Sequence, residues 1–151
     1  MTLAFEFVAL FSTALFVGAA LYINLVEHPA RMECGTALAV TEFGPSYRRA
    51  TRMQASLAIV ACLSAFSSWW LGRELAWLAG TILIGSVVAF TLVIMMPTNE
   101  KLIDPELDRS SETARQLLVL WARLHAIRTV CSLTALLIFL VAAIAHLQPR
   151  G

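Results

Sequence analysis

The chain has 151 residues, 59% of them hydrophobic and 14% charged, with a formal net charge of +1. A soluble domain carries about a quarter charged residues, so this composition points to a membrane protein, and the near-neutral balance offers no basic surface to nucleic acid. Cys34, Cys62 and Cys131 are odd in number, scattered and without CxxC spacing, which argues against a disulfide framework.

Residues 3–26 form an apolar run whose one charge is Glu6. No Lys or Arg precedes the run, so it reads as a retained helix and not a cleaved signal peptide. It closes on "YINLVEHPARM", which sets Asn24, Glu27, His28 and Arg31 at i, i+3, i+4 and i+7, one face of a continuous helix. Residues 27–52 then lead to a second run, 53–71, without charge. The tripeptide "GRE", residues 72–74, predicts a tight hairpin into a third uncharged run, 75–96. Residues 97–128 follow, with "IDPELD" as a turn. From Ser111 the sequence has no Gly or Pro up to His146, which predicts one long helix capped by Ser110 or Ser111. Its apolar part, residues 126–147, completes four runs near the roughly 20 residues a membrane span needs. Small residues four apart (Ala14 and Gly18; Thr81, Gly85 and Ala89) mark expected packing faces. "NLVEHPAR" and "MPTNEKL" close the first and third spans alike, a weak internal echo.

The expected fold is therefore all-α. It is one domain, residues 1–151, an integral-membrane antiparallel four-helix bundle whose long fourth helix protrudes into the cytoplasm. Nine of the eleven cations follow the first and third spans, and only Arg73 and Arg150 fall on the other side. The positive-inside rule puts both termini on the non-cytoplasmic side. The cation-rich side suits the cytoplasm of a bacterial inner membrane.

Three polar clusters reach the same depth: Asn24, Glu27, His28 and Arg31; Pro97, Thr98, Asn99 and Lys101; and Trp121, His125 and Arg128. Arg49, Arg52 and Ser56 are candidates for a fourth wall. Cations at span ends commonly snorkel and set topology, Trp belongs to the interfacial belt, and Pro ends helices. Glu27, His28 and His125 resist that account, because ionisable groups at such a depth are costly unless paired. They frame a polar pocket, with Glu27 paired to Arg31 or Arg128. His125 beside a carboxylate is a candidate general base, and Arg128 and Asn99 are donors for an enolate or phenolate oxygen. Trp121 offers a stacking wall, with Asn24, His28 and Arg31 as further substrate contacts. The ligand would be a lipophilic small molecule arriving from membrane lipid. A metal held by His28, His125 and Glu27 is a rival, but no HxxH, HExxH or ExxH spacing supports it. The site reading includes neither a metal nor a cofactor.

Asn and Pro-Arg closing the first helix, "PTNEKL" after the third, and Trp-x-x-x-His-x-x-Arg entering the fourth together resemble the DUF1772 family of small membrane proteins. Some fungal members are anthrone oxygenases, which convert hydroxyanthrones to anthraquinones with molecular oxygen and no evident cofactor. By this resemblance Asn99, Trp121 and Arg128 match the family pattern, while His125 stands where some members have Asn. The resemblance implies an oxidoreductase, and the residues themselves, not the family pattern, nominate His125 as its base. The alternative is a non-enzymatic membrane module that binds or transports a small ligand. Reporter fusions at Asp104 and Gly151 should read opposite sides of the membrane, Gly151 the non-cytoplasmic one; a cytoplasmic signal from Gly151 would overturn the topology.

Overall fold

The structure is a computed structural model that describes residues 2–147, so Arg150 and the Gly151 terminus lie outside the described residues. Helix α1, Thr2–Tyr22, passes through a π-turn, Ile23–Glu27, into the short α2, His28–Glu33. Gly35 follows with φ 90°, a left-handed conformation that glycine adopts without a Cβ penalty, and the chain turns back into α3, Thr36–Gly72. Helix α4, Leu75–Phe90, runs through a second π-turn, Thr91–Met95, into α5, Met96–Ile103. A turn leads to α6, Glu112–Leu147. Four helical rods, Thr2–Glu33, Thr36–Gly72, Leu75–Ile103 and Glu112–His146, are long and apolar enough to cross a membrane, and the protein is an all-helical integral membrane bundle.

Both π-turns have the same cause. His28 precedes Pro29 and Met96 precedes Pro97. A proline ring displaces the carbonyl four residues before it and removes one donor. The backbone N–H of His28 therefore reaches the Ile23 carbonyl and that of Met96 reaches Thr91, five residues back in each case. One extra residue enters each turn, and the polar side chains beyond it rotate relative to the span before it.

The bundle is apolar outside and finely packed inside, as a hydrocarbon solvent favours. Leu3, Phe7, Leu63, Val93 and Val141 point outward, whereas Ala9, Ala20, Ala61, Ala65 and Ala135 are fully buried and let the helices close up. Helix α1 packs chiefly on α3, and α6 on α4. The expected small-residue faces form only in part: Thr81 is buried and Gly85 lies against Cys62 of α3. Ala14, Gly18 and Ala89 are exposed, because whole turns of Thr13, Phe16, Val17 and Ala20 in α1 and Trp77, Gly80, Ile84 and Val87 in α4 face inward instead. Trp77 stacks on Phe139 with centroids 5.0 Å apart, and the Phe139 ring fills the space where Gly80 has no Cβ.

The long fourth helix starts where the sequence placed it. Ser111 caps it, its Oγ accepting from the Ala114 N–H at 3.1 Å, and Ser110 instead donates to Asp108 in the preceding turn. Those bonds from Ser110 hold the Asp108 carboxyl below its ordinary range. The hairpin at 72–74 puts Arg73, not Gly72, in the left-handed region at φ 60°, where its guanidinium lies 4.5 Å from the Trp70 ring centroid. The second helix departs most from the spans read off hydropathy. It begins at Thr36, not near Met53, and continues through Pro45, so most of the stretch taken as a connection is helix.

Gly80→Ala should destabilise the bundle by about 1–3 kcal/mol through a clash with a ring that is fully buried and already stacked. Gly18→Ala, which meets nothing within 4 Å, should not lower stability. Thermal unfolding of both variants in one detergent checks the contrast; equal losses would count against this packing.

Candidate functional site

The end of the bundle opposite the 72–74 hairpin is built around α6. Trp121 and His125, one turn apart, stack with ring centroids 4.7 Å apart. His28 lies 5.4 Å from Trp121, and Phe43 meets the same indole edge-on at 5.3 Å. The Trp121 indole N–H donates to Asn99 Oδ1 at 2.9 Å, and Asn99 Nδ2 donates to the Tyr47 hydroxyl at 3.4 Å. Asn99 is 1% exposed and His125 2%.

A second chain of bonds fixes the His125 ring. Thr129 Oγ1 donates to the His125 carbonyl at 2.9 Å, which leaves it to accept from Asn24 Nδ2 at 2.8 Å. Asn24 Oδ1 then faces His125 Nδ1 at 2.7 Å. An amide oxygen only accepts, so Nδ1 carries the proton and Nε2 carries the lone pair. Arg128 Nη2 donates to that Nε2 at 3.2 Å and also to Gln54 Oε1. The guanidinium lies 5.2 Å from the Phe16 ring centroid. None of these three partners of Arg128 is a carboxylate, and no ion pair to it occurs among the described residues.

Glu27 pairs with Arg31, one of the two expected partners, and accepts from the Ser46 hydroxyl at 2.7 Å. Arg31 Nε also meets Glu42 at 2.8 Å. Arg128 therefore does not serve Glu27, and removing it would leave that carboxylate paired.

These groups surround a cavity of about 130 Å³. Its polar lining includes His125, Arg128, Asn99, Glu27, Arg31 and Trp121, so three chain segments meet as their shared depth implied. Its apolar walls come from Phe16, Ile23, Phe43 and Met95. The cavity reaches exposed Thr51 and Ala55 on α3 and exposed Leu92 in the second π-turn, so it opens sideways between the second and third spans.

Two candidates stand back from the cavity. Asn24 holds His125 from behind, and His28 packs on Trp121; neither lines the space, so they are supports and not substrate contacts. The π-turn explains this, since it splits the stripe of 24, 27, 28 and 31 between α6 and α3. Among the described residues no three His, Cys, Asp or Glu side chains gather as a metal site, so the His28, His125 and Glu27 ligand set does not form. Arg49, Arg52 and Ser56 are exposed and build no fourth wall. That wall is Phe43, Tyr47, Ala50 and Gln54, spaced i, i+4, i+7 and i+11 on α3. The spacing was visible, but it identifies a wall only once residues 43–54 are known to be helical.

The family model described as anthrone oxygenase matches residues 43–138, well over half of the chain. The chain belongs to this family. The matched stretch carries Tyr47, Gln54, Asn99, Trp121, His125 and Arg128, while the first-span contributors Asn24, Glu27 and Arg31 lie before it. No curated protein and no solved structure matches the chain.

Asn24→Leu should remove the acceptor that selects the Nδ1–H form of His125. Nitrogen NMR of labelled histidine, assigned against His125→Ala, should show one tautomer in the parent protein and a mixture in Asn24→Leu. An unchanged spectrum would overturn the assignment.

Proposed function

We propose that this protein oxygenates a flat, lipophilic, enolisable aromatic ketone of the anthrone type with molecular oxygen. The observation that carries this reading is Arg128, a cation with only neutral contacts, at an otherwise largely apolar cavity bounded by stacked aromatic rings. Family membership supports it. In this reading the polar pocket lies at the cytoplasmic boundary, with both termini on the far side, and the substrate enters from the lipid between α3 and the third span.

The chemistry balances without a further oxidant. His125 Nε2 takes a proton from the ring CH₂ of the substrate. The electron pair flows to the carbonyl oxygen, which Arg128 holds as an oxyanion. Arg128 turns from Nε2 to the substrate oxygen on binding, which frees the lone pair before the proton moves. The carbanion form transfers electrons to oxygen, a C–O bond forms, and the peroxide takes up a proton. Loss of the remaining C–H proton then breaks the O–O bond. The carbon becomes a carbonyl and the second oxygen leaves as water. Asn24 keeps the lone pair on Nε2, and Trp121 and Phe43 bound the space for the ring system. Asn99 fixes Trp121, and Glu27 with Arg31 closes the polar rim.

A second reading has its own observation. In the resting geometry Nε2 is already occupied by Arg128, so a ligand-binding or transport module that holds the same aromatic without reaction is the competitor.

The test is oxygen uptake together with the visible absorbance of the quinone formed from a hydroxyanthrone, using protein in liposomes. His125→Ala should lower turnover by about 10²–10⁴-fold, and Arg128→Gln by about 10²–10³-fold, both with unchanged helical content. Exposed Arg49→Ala should retain activity. Binding without uptake in the parent protein would favour the module and defeat the oxygenase.

A further inference from the structure

Membrane proteins seldom leave a cation at a span without a counter-ion, because an unpaired charge there is expensive. This chain places eight carboxylates at the same end of the bundle. Glu27 and Glu42 both go to Arg31, and Glu33, Glu100, Asp104, Glu106, Asp108 and Glu112 are exposed. Arg128 receives an amide oxygen, an imidazole nitrogen and a ring face instead. The neutral partner is the telling residue. Gln54 is 3% exposed and lines the cavity; its Oε1 is taken by Arg128, and its Nε2 is buried with no partner. The Nε of Arg128 is likewise buried and unpartnered. Two unused donors and one uncompensated positive charge thus sit beside an apolar space. A Glu at position 54 would have satisfied the guanidinium and neutralised the site.

We infer that Gln54 and Arg128 form a binding site for an anionic oxygen, so that the ligand enters the complex as a phenolate and supplies the missing counter-charge itself. The inference rests on the reading above for the ligand class only. The anion is stabilised in the bound ground state, before any reaction, by a charge-assisted bond from Arg128 and an amide N–H from Gln54. Gln54 is then a specificity residue. It orients the guanidinium through Oε1 and adds a second donor to the oxygen through Nε2, Arg128 selects the ionised form, and the apolar walls accept the rings. A neutral aromatic lacking a hydroxyl leaves the charge uncompensated and both donors unused, so it binds poorly.

The experiment uses full-length protein in liposomes and the product-like probe 2-hydroxyanthraquinone, whose visible band moves to the red on ionisation. Bound probe should ionise at a pH at least about one unit below free probe, a tenfold shift in the equilibrium. Unsubstituted anthraquinone should bind at least tenfold more weakly. Gln54→Glu should keep the fold, give Arg128 a carboxylate and abolish the ionised bound form. Gln54→Leu, which leaves the cation unpaired, should retain that form with weaker binding. Arg128→Gln, a second route to a neutral site, should bind the probe as the neutral phenol. Probe bound as neutral phenol in the parent protein, or an unchanged spectrum in both Gln54→Glu and Arg128→Gln, would overturn the inference. Displacement of the probe by equimolar oleate would assign the anion to a fatty carboxylate and overturn the aromatic ligand. Because none of these readouts needs turnover, a protein that ionises the probe but consumes no oxygen defeats the oxygenase reading alone.

Discussion

A guanidinium at a membrane-spanning helix is costly to hold, and much of the site is arranged about Arg128. It belongs to α6, yet it bonds Gln54 of α3 and lies over Phe16 of α1. Through His125 it connects to Asn24 of the first π-turn. One charge thereby ties three of the four rods at one end of the bundle. Each bond is worth more here than at a wet surface, because a lost partner leaves a buried donor or acceptor with no water to replace it. The same arrangement that limits the cost of Arg128 also orders the chemistry-bearing groups around the cavity.

The two X–Pro steps complete the geometry. Each adds a residue to a turn just where a span ends, before Pro29 and before Pro97. Across the first, Asn24 reaches α6 while Glu27 and Arg31 reach α3. After the second, Asn99 meets both Trp121 and Tyr47. A regular helix would carry residues 24, 27, 28 and 31 along one face, and the extra residue distributes them between two neighbours. The second π-turn also contributes Leu92 to the side opening and Met95 to the cavity wall. Its irregular backbone is tolerated because it lines a cavity and is not wholly open to lipid.

The opposite end is built on different principles. There Glu6, 3% exposed, accepts from Ser68 at 3.3 Å and meets His146, which also contacts Glu74. Those contacts join the start of α1, the hairpin and the end of α6. Between the two polar ends lies a layer of alanines and aromatic rings in which Phe16, Ile84 and Phe139 are almost wholly buried. Polar groups at the ends therefore set which helices meet, and small residues in the middle set how closely they approach.

Four spans, the hairpin and the start of the fourth helix were legible in the sequence, because run length, charge and capping are local properties that the bilayer and the backbone read directly. The shared depth of Glu27, Asn99, His125 and Arg128 was legible too, since alternating spans return the chain to the same boundary. Who bonds whom was not. Glu27 had two cations within reach of the argument, and only the packed rods assign it Arg31 and leave Arg128 to Gln54. The fourth wall escaped because hydropathy ends a span at its first charges, while α3 continues as helix from Thr36 through Arg48, Arg49 and Arg52. Helical hydrogen bonds do not stop at the membrane edge, and apolar patterning does. The sequence by itself determined a membrane bundle with polar residues gathered at one depth. The tertiary structure alone decided that Asn24 and His28 stand behind the cavity and that Gln54 faces it, because those outcomes depend on the rotation of each rod about its own axis, which two proline-induced π-turns reset.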